Sequence, residues 1–181
     1  DVAHLLHEQF KGLGETTLQM TIGIANESEK LFDTSVTDWS GKGHSVFATY
    51  KIPFAEPSLF KKIYEGWKKK RSSMVIELKG DRLKKWVSYR NKLSGVKVSA
   101  EKPRYITAAF FSKGFIAFSK HEASSPITVQ LLERFSSVFN QTYTRFLDLQ
   151  KAEAQAKEAR IEASLERVRS KSMAMHKSDE L

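Results

Sequence analysis

The side chains with most to offer chemistry at neutral pH are five histidines, His4, His7, His44, His121 and His176, because imidazole both titrates near neutrality and ligates metals. His4 and His7 are one helical turn apart and could share an ion. Two neutral nitrogens with no carboxylate or thiolate at a known ligand spacing do not make a metal motif, so both are read as surface histidines. The chain has no cysteine, which excludes a disulfide scaffold, a thiolate metal site, a cysteine nucleophile and a thioether-tethered chromophore. It also lacks a glycine-rich phosphate loop, a nucleophile elbow and an acidic metal motif. The expectation is a non-enzyme with no catalytic residue, metal or cofactor, in a reducing, cytoplasmic setting.

The second chemical feature is charge. The formal net charge is +9, and all of the surplus lies in residues 61–92, which carry twelve Lys or Arg against three acids; the other 149 residues hold eighteen of each. Within this stretch the run Lys68, Lys69, Lys70 and Arg71 is flanked by Trp67, with Trp86 and Tyr89 further on. Interleaved bases and aromatics suit phosphate contacts and base stacking. Helical spacing accounts for the same residues more simply, with the tryptophans on buried stripes and the lysines facing water. Nucleic-acid binding is kept as the lesser alternative.

These residues must be carried by identifiable elements. Val2, Leu5, Leu6, Phe10 and Leu13 recur at three and four and predict a first helix, stopped by Gly12 and Gly14. The period then becomes two: Leu18, Met20, Ile22 and Ile24 alternate with Thr17, Gln19, Thr21 and Gly23, a strand with one buried face. A polar turn at 26–30 leads to a second strand, Leu31 to Trp39, and the Ser40–Gly43 loop to a third, ended by Pro53. A helix is expected over 58–70, a strand over Met74–Leu78, and a further helix from an Asp81 N-cap through Leu83, Trp86, Val87 and Arg90 to Ser94-Gly95. Arg104–Phe111 and Phe115–Ser119, joined at Ser112-Lys113-Gly114, give the clearest hairpin. The order predicts an α+β domain on a mainly antiparallel sheet.

Ser125-Pro126 is an N-cap followed by proline at the first helical position, and no helix breaker follows before Leu181. The domain is therefore expected over 1–124 and a long helix over 125–181. Leu132, Phe135, Phe139, Phe146 and Leu149 keep a four-and-three spacing, apolar enough to pack on the domain. Ile161, Leu165, Val168 and Met175, with Ser172 as a polar gap, continue in heptad steps. Together the nine are the expected seam of a dimeric coil. The phase slips within the Ala-rich segment 152–163. So thin a stripe is marginal for a lone helix in water, which favours a parallel two-stranded coil over a solvated single helix. No run of about 18 apolar residues exists, so no membrane insertion is expected.

The stretch Phe139-Asn-Gln-Thr-Tyr-Thr-Arg-Phe-Leu-Asp-Leu-Gln-Lys-Ala-Glu-Ala, continuing through Leu165-Glu-Arg-Val-Arg to Met173-Ala-Met-His-Lys-Ser-Asp-Glu-Leu181, resembles the linker that alternates with GAF-like sensor domains in large multidomain two-component signalling proteins of Bacteroidetes-type bacteria. Tyr50-Lys-Ile-Pro53, Ile63-Tyr-Glu-Gly-Trp-Lys68 and Ala108-Ala-Phe-Phe-Ser-Lys-Gly114 resemble landmarks of the sensor domain in the same order. The resemblance implies one unit of a longer array: a sensor domain and its outgoing helix, homodimeric through the terminal helices, ahead of an output domain such as a histidine kinase or a nucleotide cyclase.

It further implies that the first and last helices cover one face of the sheet and the middle segment the other, where a small molecule would bind. On that basis Trp39, Tyr50, Phe54, Trp67, Trp86 and Phe110 would line a ligand pocket with His44 or Arg104 as its polar groups, or would simply fill a core. His176 is not read as a phosphoacceptor, because Lys177-Ser178-Asp179-Glu180 follows it in place of a Glu and an Arg-Thr-Pro turn. The terminal Ser-Asp-Glu-Leu is likewise not read as a retrieval tag.

Overall fold

The computed structural model describes residues 2–39, 45–95 and 97–178, with side-chain surroundings for these except 2–5, 38–39, 45–47 and 176–178. The Ser40–Gly43 loop and His44 lie outside the described residues, as do the side chains of His4, Trp39 and His176. The elements run α1 (Val2–Gly12), β1 (Gln19–Asn26), β2 (Leu31–Trp39), β3 (Ser45–Pro53), α2 (Phe60–Lys68), β4 (Ser73–Leu78), α3 (Gly80–Ser94), β5 (Arg104–Phe111), β6 (Gly114–Lys120) and α4 (Pro126–Ser178). The strands form one six-stranded antiparallel sheet in the order β3-β2-β1-β6-β5-β4. This is the α+β arrangement the periodicities predict: a sheet flanked by helices, followed by a long C-terminal helix.

Because side chains alternate across a strand, the registers sort the sheet into two faces. Phe32, Ile52, Ile76, Leu78, Ile106, Ala108, Phe115 and Ala117 pack with Phe60 and Ile63 of α2 and Leu83, Trp86 and Val87 of α3. On the opposite face Phe10 of α1 meets Phe118 (5.5 Å between ring centroids) and Phe135 of α4 (5.1 Å), while Phe111 meets Phe139 (5.0 Å). Both faces are thus covered. β1, read from its alternation as a strand with one buried face, thus lies in a sheet covered on both.

Local chemistry fixes the ends of the covering helices. The carboxylate of Glu56, buried, accepts the N–H groups of Ser58, Leu59 and Phe60, each at 2.9 Å, and the Ser58 hydroxyl. It therefore satisfies the free donors at the start of α2, which Pro57-Ser58 alone would not. The α3 N-cap is Lys79, not Asp81: Gly80, at φ +55°, turns the chain out of β4 one residue earlier than the expected cap. Gly95, at φ +70°, stops α3 where predicted, its N–H on the carbonyl of Asn91. At Gly23 a Cβ would lie 2.2 Å from the Phe115 ring, so only glycine lets that ring fill the core.

The chain divides into two compact units, Asp1–Asn140 and Gln141–Leu181. The boundary falls inside α4, later than the expected 124/125, because the first turns of α4 belong to the sheet's own packing. Leu132 is fully buried and Ser73 donates to Glu133 at 2.6 Å. The Ser112 hydroxyl donates to Asn140 Oδ1 at 2.6 Å.

Candidate functional site

Between the sheet and α3 lies a cavity of about 50 Å3. Its origin is a cross-strand row of small side chains. Val36 pairs with Thr21, Thr21 with Ala117 and Ala117 with Ala108, all on the face beneath α2 and α3. The next row carries Phe115 opposite Gly23, so the floor steps down from a large ring to small side chains. Apolar lining comes from Val36, Ile52, Leu59, Phe60, Ile63, Trp86 and Ile106, and polar lining from Gln19, Thr21, Tyr50, Arg90, Ser94 and Ser119. The space is well below the roughly 300–1,000 Å3 of a pocket for a drug-sized molecule.

Arg90 is the one charged side chain among the described residues that line it. It is only 6 % exposed, because it continues the buried stripe Leu83, Trp86, Val87 one turn further along α3. Ser119 pairs across the sheet with Gln19. Its Oγ is buried and has no hydrogen-bond partner among the described residues, which costs a hydroxyl about 1–3 kcal/mol.

Of the eight expected pocket residues, the structure brings Tyr50 and Trp86 to this cavity. Phe54 is instead stacked on Tyr64 (4.3 Å) and set edge-on to Phe32 (4.7 Å), as core. The Trp67 indole N–H donates to the carbonyl of Phe111 at 3.1 Å. With Phe110 it lines a separate open groove, because it occupies the last turn of α2. Arg104 opens β5 opposite Leu78 and does not reach the cavity. Arg90, Gln19, Thr21 and Ser119 were not in the expected pocket. The signal for Arg90 was present, an arginine within an otherwise apolar stripe. The strands β5 and β6, apolar on successive positions, likewise signalled a sheet buried on both sides.

The basic run is the capped end of a helix. Lys69 closes α2; Lys70, at φ +52°, holds the left-handed position usual for glycine, and the Arg71 N–H reaches back to Gly66. Cations here lie at the negative end of the helix dipole. Lys68 pairs with Glu27 at 2.8 Å, and its ammonium lies 5.3 Å from the Trp67 ring centroid; the carboxylate hydrogen bond raises its pKa. Lys69, Lys70 and Arg71 are exposed. Trp86 is buried and Trp67 half-buried in their own chain, so neither is an exposed stacking platform.

His7 corrects the surface reading: it is buried, with Nδ1 3.1 Å from Thr17 Oγ1. His121 is exposed, with Nδ1 3.0 Å from the carbonyl of Pro103. No group of three or more His, Cys, Asp or Glu among the described residues could hold a metal ion.

The opposite face carries a polar clamp. Glu15 accepts from Lys120 Nζ at 2.8 Å and from the Thr128 hydroxyl at 2.5 Å. Ser125, the N-cap expected from sequence, accepts the Thr128 N–H at 3.1 Å. The Lys120 hydrogen bond, then that of Thr128, holds the Glu15 carboxyl below its ordinary pKa. The clamp ties the turn after α1, the end of β6 and the start of α4 together.

The nine expected seam residues separate into two sets. Leu132 is fully buried in its own domain, and Phe135 and Phe139 are half-buried with ring contacts to Phe10 and Phe111. Leu132 therefore belongs to the domain core and cannot serve an interchain seam. Phe146, Leu149, Ile161, Leu165, Val168 and Met175 are 44–71 % exposed. No helix among the described residues is long and apolar enough to cross a membrane. Comparison with family models, with curated proteins and with solved structures found no match to this chain.

Proposed function

We propose that this chain is a non-catalytic sensory and dimerisation module of a cytoplasmic signalling protein. Its GAF-like domain is the input, and α4 continues as a parallel two-stranded coil toward an output domain in the same protein, a histidine kinase or else a nucleotide cyclase. The observation that carries the reading is the change of character along α4. One helix begins as buried core at Leu132 and goes on as an apolar stripe from Phe146 to Met175 with no cover of its own. Apolar side chains at heptad steps gain most from a second identical stripe. The ion pair Arg169–Glu166, at 3.8 Å and exposed, adds little to a lone helix. A bound effector would then favour one of two packings of the pair, with the Ala-rich segment 152–163 as the place where the phase changes.

The absence of cysteine makes the test direct. Single cysteines at 161 and 168 are expected to form interchain disulfides under mild oxidation, while one at Ser170, on the outer side of the stripe, is expected to remain monomeric on a non-reducing gel. Equal crosslinking at all three positions, or none at 161 and 168, would refute the coil. A scaffold that only spaces and dimerises its neighbours is the second reading, favoured by how little free space the domain encloses; it predicts the same crosslinks with no response to any small molecule.

A further inference from the structure

We infer that the open groove between the end of α2 and the β5–β6 turn docks an acidic peptide segment of a partner protein, with carboxylates on Lys70 and Arg71 and one large apolar side chain on Trp67 and Phe110. The site is separate from the coil and stands whether or not the chain dimerises. The groove holds about 630 Å3, within the range of ligand sites. Its apolar floor is set by a close approach. A Cβ at Gly66 would lie 2.6 Å from the Phe110 ring, so glycine there lets α2 settle onto β5. Trp67 and Phe110, both half-buried, line the groove with part of their surface still exposed.

The rim is basic and its backbone is pinned. The Lys70 N–H donates to the carbonyl of Trp67 at 2.9 Å, the Arg71 N–H to that of Gly66 at 3.2 Å and the Phe110 N–H to that of Ser72 at 3.0 Å. Little order therefore remains to be imposed on binding. Glu27 holds Lys68 at one wall. Lys70 and Arg71 are exposed and have no ion pair among the described residues. Lys70 also holds φ +52°, where a side chain costs energy that glycine avoids. A lysine at that position adds charge to the groove at the expense of the turn.

Three observations select the partner. Outside residues 61–92 bases and acids balance at eighteen each, so a second copy of this chain offers no acidic surplus. The groove lies at the carbonyl end of α2, away from the free N–H groups of a helix start that would cradle a phosphate. The Trp67 ring already has the Lys68 ammonium 5.3 Å from its centroid and Phe32 edge-on at 6.1 Å, which compete with a stacked nucleobase. Carboxylates flanking one apolar anchor match both the charge of the rim and the floor.

The test uses the full 181-residue chain and a fluorescein-labelled acidic heptapeptide with one central phenylalanine, followed by anisotropy at physiological ionic strength. The peptide is expected to saturate with a Kd of roughly 10–100 μM, and its counterpart with alanine for phenylalanine to bind at least about tenfold more weakly. Lys70→Gly, which relieves the turn, is expected to weaken the peptide about fivefold while the thermal midpoint holds or rises. Lys70→Glu combined with Arg71→Glu is expected to abolish binding. Lys84→Glu combined with Lys85→Glu, an equal charge change on α3 outside the groove, should alter it less than about twofold. No saturable binding, equal binding of the two peptides, or equal losses in the two double variants would overturn the proposal. So would tighter binding of an oligothymidylate of equal charge than of the peptide, which would assign these cations to nucleic acid.

Discussion

The two faces of the sheet are covered by the same number of helices and packed by different means. Under α1 and α4 the contacts are large rings in register, Phe10 on Phe118 and Phe135, closed at one end by the Glu15–Lys120–Thr128 clamp. Under α2 and α3 the aromatics gather around Phe32, Phe54 and Trp67, and the small row Thr21, Ala117 leaves a polar-lined space beneath Arg90. A tightly filled face resists change, whereas a face with free volume and an unsatisfied hydroxyl can gain from a ligand.

The largest difference between the faces is expected at Phe10. Phe10→Ala removes a fully buried ring on the filled face and is expected to cost about 3–5 kcal/mol, measured by urea unfolding. A loss near 1 kcal/mol would mean that the α1–α4 face is not tightly packed. The matched pair Ala109→Val and Ala117→Val should show the next largest difference. Both alanines are buried in the central strands, but Ala109 faces α4 and Ala117 lines the cavity. Overpacking should cost about 1–3 kcal/mol at 109 and less than about 1 kcal/mol at 117, where the added methyls have room. Equal losses at the two positions would deny the cavity.

The smallest expected effect is at the clamp. Since the Glu15 pKa is lowered in the fold, chiefly by the Lys120 hydrogen bond, its ionised form stabilises the native state above the ordinary carboxylate pKa. That contribution is lost as pH falls through the lowered folded value. Glu15→Gln should therefore cost about 1 kcal/mol at neutral pH, and the gap to the parent should close below about pH 5. A gap independent of pH would show that the ion pair contributes nothing.

What the sequence made legible follows how local each signal is. The Arg104–Phe111 strand and its hairpin partner, the Ser125 N-cap and the Gly95 stop each depend on a few consecutive residues, and each was found in place. The cavity depends on juxtapositions that no local pattern carries. Alternation in β1 separates Gln19 and Thr21 from Met20 and Ile22, but only α3, some seventy residues on, decides that the polar side is covered too. His7 was misread for a like reason: its partner Thr17 lies ten positions on, across the turn after α1. Leu132 kept the spacing of the later stripe while facing its own sheet, because a helical repeat says which residues share a side and not what lies opposite.

The pairing of β1 with β6 also bears on how the protein is made. Gln19 waits for Ser119, a hundred residues downstream, so the centre of the sheet is the last seam to close during synthesis. Until β6 leaves the ribosome, the β1–β2–β3 meander presents β1 as a bare edge of unpaired N–H and C=O groups, an invitation to pair with another chain. Contacts of such long sequence separation slow folding. The vulnerable interval in the life of this protein is therefore set by translation, and it ends when Lys120 has been added and freed from the exit tunnel.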